Sequence, residues 1–385
     1  DRDRSLFGQA YQEAVYSMAL SAEGHVNEAV RGLGAALRRT EEEASGSVTA
    51  GSVIAVYLAD GYYEQNRVAE AAALLDEYGA LAEKQVIVDA LGVMYAMQSR
   101  IAALRGDGSA AEEVLERALY VGYQHGFHRL VGYAQAERVR LATLAGDLDL
   151  AERRLREYDL PRFAADAELM FHAGETEAHT VTWARLMIRL GRLSEARTEL
   201  QWAIRIAHGR RRRRRELKLL LMLALVQQAE GHANLARRAL LDALEIGLPK
   251  QFVRAVLDEG APALQLLREL RRSFGGLPDV AQQEALLAYL DHLLAEAGEP
   301  GLNLLRAVAP VIAGQAKAEL LEALTAKERR LLTYVAMGMT NKDLADRLSV
   351  STNTVKWHLR NIFEKLQIKN RTRAVAVARQ LGLVE

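Results

Sequence analysis

From about residue 24 to residue 245 the apolar positions follow a helical rather than an alternating period, and one local pattern keeps returning. Six stretches align on a turn residue, Gly24, Asn66, Gly106, Gly146, Gly191 and Gly231, at spacings of 42, 40, 40, 45 and 40. Five positions after it stands alanine (Ala29, Ala71, Ala111, Ala151, Ala196, Ala236), and nine positions after it leucine (Leu33, Leu75, Leu115, Leu155, Leu200, Leu240). A helix, a left-handed turn residue and a second helix account for the pattern: the alanine lets the paired helices approach, and the leucine one turn later fills the space between them. Proline is absent from the first 160 residues, and strands are not expected. The fold class is therefore all-α, with helical pairs stacked into a right-handed superhelix, each pair covering its neighbour's apolar face. An irregular helical bundle is the alternative, but it gives no reason for six recurrences at fixed offsets. The period exceeds the 34 residues of the standard tetratricopeptide repeat, so tetratricopeptide-like pairs with lengthened helices are expected.

The repeats occupy residues 1–247. Residues 248–296 stay helical but carry Pro249, Pro262 and Pro278 and read as a helical cap. Residues 297–321, with Gly298, Pro300, Gly301, Pro310 and Gly314, read as a linker. Within residues 322–385, Thr325 followed three positions later by Glu328 opens a helix that Gly338 ends. Thr340 caps a second helix to Leu348, and Ser351 caps a third to about Leu366. The short turn Ser349-Val350 between them matches a helix-turn-helix. On the third helix Val355, Leu359, Ile362, Phe363 and Leu366 share an apolar arc, and His358 at its edge reads as a packing residue. The opposite face presents Asn353, Lys356, Trp357, Arg360, Asn361 and Glu364. In a major groove, Lys356 and Arg360 would donate to guanine while Trp357 meets thymine methyls or sugars. Packing of Trp357 on a fourth helix is the alternative.

Charge sharpens this division. The chain of 385 residues has 50 basic and 50 acidic residues, yet residues 324–385 hold 12 Lys+Arg against five acids. That tail is +7 and the remainder −7, the footprint of a nucleic-acid reader attached to something that is not one.

The run LTAKERRLLTYVAMGMTNKDLADRLSVSTNTVKWHLRNIFEKLQIKNRTRAVAVARQLGLV resembles the LuxR-type DNA-binding domain along its whole length, including the blocks TNKDLA, TVKWHLRNIFEKL and NRTRAV. The resemblance implies a four-helix domain whose third helix enters the major groove of double-stranded DNA. It places Lys356, Trp357 and Arg360 at base-reading positions and Asn341, Lys342, Ser351, Thr354, Lys365 and Arg371 at backbone contacts. It also implies dimerisation on DNA through the last helix, residues 371–381, and RNA polymerase as a partner. Together with the segments ARLMIRLGRLSEARTELQWAI and FVRAVLDEGAPALQLLREL, the architecture is similar to the carboxy-terminal half of the large ATP-dependent LuxR-type regulators, the MalT-like group. Those begin with a nucleotide-binding domain. Here no Gly-Lys pair occurs, so no G-x-x-x-x-G-K-[ST] loop for ATP is possible, and no cofactor is expected in this chain. With Asp1 in place of methionine, this suggests a fragment, or a relative without the ATPase.

Other chemistry has little to rest on. Cysteine is absent, which removes thiol nucleophiles and Cys₄ zinc sites, and neither G-x-S-x-G nor H-E-x-x-H occurs, so the chain is not expected to be an enzyme. The longest apolar stretch, residues 219–226, is far short of a membrane span, and a cytoplasmic location is expected. His172, Glu175, Glu177 and His179 crowd one loop without a spacing that fixes a metal. Six consecutive arginines, residues 210–215, read as a solvated connector, with a DNA-phosphate or acidic-partner contact as the functional alternative. Eleven and eight positions before the turn residue, the middle repeats carry Tyr95/Gln98, Gln135/Arg138 and Thr180/Trp183, where flanking repeats have Ala55/Leu58 and Leu220/Leu223. First helices form the binding surface of such superhelices. This strip is a candidate site for a small-molecule inducer or regulatory protein, or else plain solvent-facing surface. The function expected is a sequence-specific transcriptional regulator with a sensing superhelix. A protein-interaction scaffold with an accessory basic domain is the alternative.

Overall fold

The computed structural model describes residues 2–43, 51–157, 177, 179–248, 252–274, 281–298, 326–337 and 339–348, with single positions 352, 355, 356, 359, 362 and 374. Among these residues the regular structure is all helical, with no strand. The repeats are the pairs α1 (Arg2–Ala22) and α2 (Val26–Glu43), α3 (Gly51–Glu64) and α4 (Val68–Gln85), α5 (Val88–Leu104) and α6 (Gly108–His125). They continue as α7 (His128–Ala145) and α8 (Leu148–Glu157), α9 (His179–Arg189) and α10 (Leu193–Gly209), α11 (Arg213–Ala229) and α12 (Ala233–Gly247).

All six expected turn residues sit between the helices of a pair with positive φ, from 62° at Asn66 to 96° at Gly106. Each is followed by a backbone N–H that reaches back five residues, for example His25 N–H to Leu20 O (2.7 Å) and His232 N–H to Gln227 O (2.8 Å). This bond satisfies a carbonyl that the ending helix leaves unpaired, which is why a residue tolerant of the left-handed region recurs there. Asp107 and Asp147 add side-chain caps, their Oδ1 atoms accepting from Ala110 N–H (2.8 Å) and Leu150 N–H (2.9 Å). The repeat alanines are at most 3% exposed. Of the repeat leucines, Leu33, Leu75, Leu115, Leu200 and Leu240 are buried and Leu155 half-buried. Successive first helices come equally close at Gly92, where a Cβ would lie 2.6 Å from the Tyr133 ring.

The first helices α1, α3, α5, α7, α9 and α11 pack on one another in order, each with its second helix against it. The column then meets itself: α11 also contacts α1, and Arg214 of α11 binds Asp60 and Glu64 of α3. Helix α11 is accordingly buried without interruption from Arg214 to Gln227. Beyond α12 lie α13 (Arg254–Leu257), α14 (Ala261–Ser273) and α15 (Ala281–Glu296). Residues 252–259 run into the centre of the column, where α13 touches both α3 and α11. Val253 N–H donates to Glu64 O (3.1 Å), Ala255 N–H to Glu64 Oε1 (2.8 Å), and Tyr289 Oη–H of α15 to Phe252 O.

Residues 1–306 and 307–385 form separate compact units. In the second, α16 (Ala326–Ala336) and α17 (Asn341–Leu348) are described. Thr340 caps α17 reciprocally: its N–H and Oγ1–H donate to Asp343 Oδ2 (2.8 and 2.7 Å), and Asp343 N–H donates to Thr340 Oγ1 (3.3 Å). The expected linker and the Thr325 cap fall outside the described residues, apart from Ala297 and Gly298.

Candidate functional site

On the basic module the helical phase read from the sequence holds wherever it is described. Val355, Leu359 and Ile362 are buried with Leu331, Leu332, Val335, Leu344, Ala345 and Ala374, while Lys356 is exposed. Lys342 is also exposed, and Asn341 is half-buried at the start of α17. The Arg347 guanidinium lies 4.7 Å from the centre of the Tyr334 ring, tying α17 to α16. Trp357, Arg360, Ser351, Thr354, Lys365 and Arg371 lie outside the described residues.

The expected effector strip is not an open face. Tyr95 and Gln135 are buried, and Gln98 and Trp183 are half-buried. Burial and the Glu83 carboxylate of α4 push the Tyr95 phenol pKa upward. The Gln98 amide lies over Gly79 of α4, Arg138 binds Glu112 of α6, and Trp183 packs on the core. These positions therefore point into the packing between helices, because lengthened helices bring the second helices over them.

The arginine run needs a similar correction. Arg211 does make a left-handed turn (φ 56°) between α10 and α11, and Arg210 is exposed, as a connector requires. Arg212, Arg214 and Arg215, however, are buried. Arg214 donates to Glu64 Oε2 (2.9 and 2.7 Å) and to Asp60 Oδ2 and Oδ1 (2.8 and 3.2 Å), since α11 is interior along its length. In the loop of His172, Glu175, Glu177 and His179, where the spacing fixes no metal, Glu177 accepts from Thr182 Oγ1 (2.7 Å) and from the Arg185 guanidinium. His172 and Glu175 lie outside the described residues, among which no metal-binding group occurs.

What lines the channel instead is charged and fully enclosed. Arg100 of α5, Arg140 of α7 and Arg185 of α9 each stand six positions before the turn residue of their repeats. Arg100 binds Glu137 (Nε 2.9 Å), and Arg140 lies 3.5 Å from Glu137, 3.6 Å from Glu177 and 3.7 Å from Asp258. Arg185 donates twice to Glu259 (2.9 and 2.7 Å), and Lys218 Nζ reaches Glu259 Oε1 (2.5 Å) and Ala255 O (2.8 Å). Asp258 accepts from Tyr63 Oη–H (3.1 Å) and from Arg254. Apart from Glu177, no sequence argument singled out these residues. The signal available was the shared register of three arginines on consecutive repeats.

Burial alone would push the Asp258 carboxyl up, but Arg254, Arg140, Arg100 and Lys218 outweigh it and hold the pKa down at about 2. The same contest, won by Arg185 and Lys218, places Glu259 well below the usual carboxylate range, and Arg100 and Arg140 lower Glu137. Glu64 goes the other way, because burial exceeds the effect of Arg214. A depressed folded pKa supplies stability above the unfolded value and loses it as pH falls through the folded one. Unfolding free energy should therefore drop between about pH 4 and pH 2, Asp258 alone accounting for about 2 kcal/mol. Urea midpoints measured at pH 5 and pH 2.5 check this, and equal midpoints would remove these carboxylates from the stability of the column.

Two family models match the chain. Residues 10–273 match the MalT-like TPR region, and residues 322–378 match the luxR family of bacterial regulatory proteins. The HTH-type transcriptional regulator MalT of Klebsiella pneumoniae is 28% identical over 295 residues, covering 74% of this chain and 31% of that protein. The HTH-type transcriptional regulator AlkS of Alcanivorax borkumensis is 51% identical over 61 residues, 16% of this chain and 7% of AlkS. A probable transcriptional regulatory protein of Hyphomicrobium methylovorum, SgaR, is 53% identical over 57 residues, 15% of this chain and 27% of its own. The chain thus spans less than a third of the length of these curated relatives. With its repeats matched over more than half the chain and its C-terminal module matched separately, the chain belongs to the family of the MalT-like TPR region and carries a luxR-family helix-turn-helix domain.

Proposed function

We propose that the chain is the sensing and DNA-binding portion of a sequence-specific transcriptional regulator, its superhelix responding to an effector or partner and its C-terminal domain reading duplex DNA. The observation that carries this is the sidedness of the third helix in the luxR-family domain. Val355, Leu359 and Ile362 are buried while Lys356 is exposed, so the face that carries Trp357 and Arg360 by phase is the one available to a groove. Lys356, Trp357 and Arg360 read bases, whereas Asn341, Lys342, Ser351, Thr354, Lys365 and Arg371 hold the backbone. A dimer formed through residues 371–381 would present two such helices to a two-fold site. No G-x-x-x-x-G-K-[ST] loop for a nucleotide phosphate occurs in this sequence.

Residues 320–385 alone should bind duplex. In the full chain, Arg360→Ala should cost about 1–3 kcal/mol on the cognate site and relax preference at one base pair, while Lys342→Ala weakens all sequences alike. Fluorescence anisotropy on cognate and scrambled duplexes checks both. Equal losses on the two duplexes for Arg360→Ala would move that residue to the phosphate backbone.

A further inference from the structure

The centre of the superhelix is filled by another part of the same chain. Residues 252–259 bring three kinds of group into it, one of them the buried Arg254 guanidinium, which pairs with Asp258 inside the segment and leaves it a net charge of −1. Phe252, Val253, Val256 and Leu257 are at most 1% exposed, and they are followed at once by the carboxylates of Asp258 and Glu259. The wall answers the apolar groups and the carboxylates. Its cations come from four different first helices, Arg100, Arg140, Arg185 and Lys218, and three of them hold the same register in consecutive repeats. Tyr63 of α3 donates to Asp258, and Glu64 of α3 accepts the N–H of Val253 at its backbone carbonyl and that of Ala255 at its carboxylate, as a groove grips a peptide main chain.

Such a wall is an inefficient way to stabilise a core. Each enclosed ion carries a desolvation cost that its partners barely offset, and apolar residues of similar volume often serve stability as well or better. A repeated array of arginines facing a separate, short segment is better suited to recognition, where removing the segment leaves charges that demand another anion. Without residues 252–259 the wall holds Arg100, Arg140, Arg185, Arg214 and Lys218 against Asp60, Glu64, Glu137 and Glu177, an excess of one positive charge.

We propose that the channel is a binding site for an acidic peptide segment, apolar residues followed by two adjacent carboxylates, which residues 252–259 occupy in cis and a regulatory protein presenting the same chemistry occupies in trans by displacing them. The inference rests on the sensing role proposed above and gives that role a site and a partner class. The flanking apolar residues select a peptide over a small dicarboxylate, because the latter satisfies the arginines but leaves the volume of Phe252, Val256 and Leu257 empty.

The wild-type full chain provides the first test, by hydrogen–deuterium exchange. The amides of residues 253–259 should exchange at least tenfold faster than those of residues 221–226 in α11, as a unit that opens without global unfolding. Exchange at the same rate as α11 would make the segment a fixed part of the core and overturn the proposal. The second test uses the full chain carrying D258N and E259Q with a fluorescein-labelled peptide of residues 252–260, Phe-Val-Arg-Ala-Val-Leu-Asp-Glu-Gly. Binding at least tenfold tighter than to wild type, and lost when the peptide carries Asn-Gln in place of Asp-Glu, supports the site. No binding to a variant that keeps its helical circular dichroism and a cooperative melt overturns it. If the variant does not fold, the exchange result on wild type decides. Succinate that displaces the peptide and stabilises the variant equally well would overturn the peptide assignment in favour of a small dicarboxylate. DNA affinity of the same variant with and without peptide separates the two readings: no change there removes the sensing role while peptide binding still establishes the site.

Discussion

Arg185→Met is expected to lower the unfolding free energy of the full chain by about 3–5 kcal/mol, the usual consequence of removing one partner from an enclosed charge network. The guanidinium is 5% exposed and bonded to Glu177 and Glu259 together, so its loss strands two carboxylates at once. Glu259 keeps Lys218, and Glu177 keeps Thr182 with Arg140 at 3.6 Å, which prevents a larger loss. Adding E177Q and E259Q to the same chain should recover part of the stability, because neutral amides cost less to enclose than unpaired carboxylates. Arg192→Ala, which removes an exposed pair with Glu195, should leave the urea midpoint where it was. Urea titrations followed by circular dichroism measure all three, and an Arg185→Met midpoint no lower than that of Arg192→Ala would show that the channel charges carry no structural weight.

Salt should have the largest effect on DNA binding. Residues 324–385 concentrate 12 basic residues against five acidic ones, and each neutralised phosphate releases counterions. A dimer touching 6–10 phosphates should lose about 10³–10⁵ in affinity between 50 and 200 mM salt. Lys342→Ala should flatten the log–log slope by about 1 per protomer, and Lys356→Ala should change sequence preference as well. Anisotropy titrations across that range give the slope directly. A flat response would mean that the module meets DNA without its lysines and arginines.

The repeat was legible because each of its signals is local. A left-handed turn residue, an alanine five positions later and a leucine after that act within one pair of helices, and all six copies obey the same sterics. The third helix of the basic module was legible for the same reason, since Val355, Leu359 and Ile362 follow from phase alone. Closure of the column was not. It depends on partners far apart in sequence, Arg214 with Glu64 at a separation of 150 residues and Tyr63 with Asp258 at 195. Charged residues are ordinarily solvated, and nothing in an isolated Arg-Arg-Arg-Glu-Leu-Lys distinguishes an exposed helix start from one entering a core. The apolar stretch of residues 219–226 did mark α11 as central, and a helix apolar on every side is a buried helix. Extending that inference backwards over Lys218, Arg215 and Arg214 would have found the seam. The effector strip misled because position in a first helix says which helix carries a residue, whereas the neighbouring second helix decides whether it is covered.

The contact of α11 with α1 and α3 also imposes a counting rule on the gene. An open stack of repeats gains or sheds a unit at little cost, and unequal recombination between similar units makes such changes common in evolution. A stack in which a later helix packs back on an earlier one behaves like a hoop of staves: inserting or deleting one pair of about forty residues between α3 and α11 would carry Arg214 past Asp60 and Glu64 and leave both sides of the seam unmatched. The number of pairs between α3 and α11 is then held by selection, and length variation there in related chains should collect in the loops between helices.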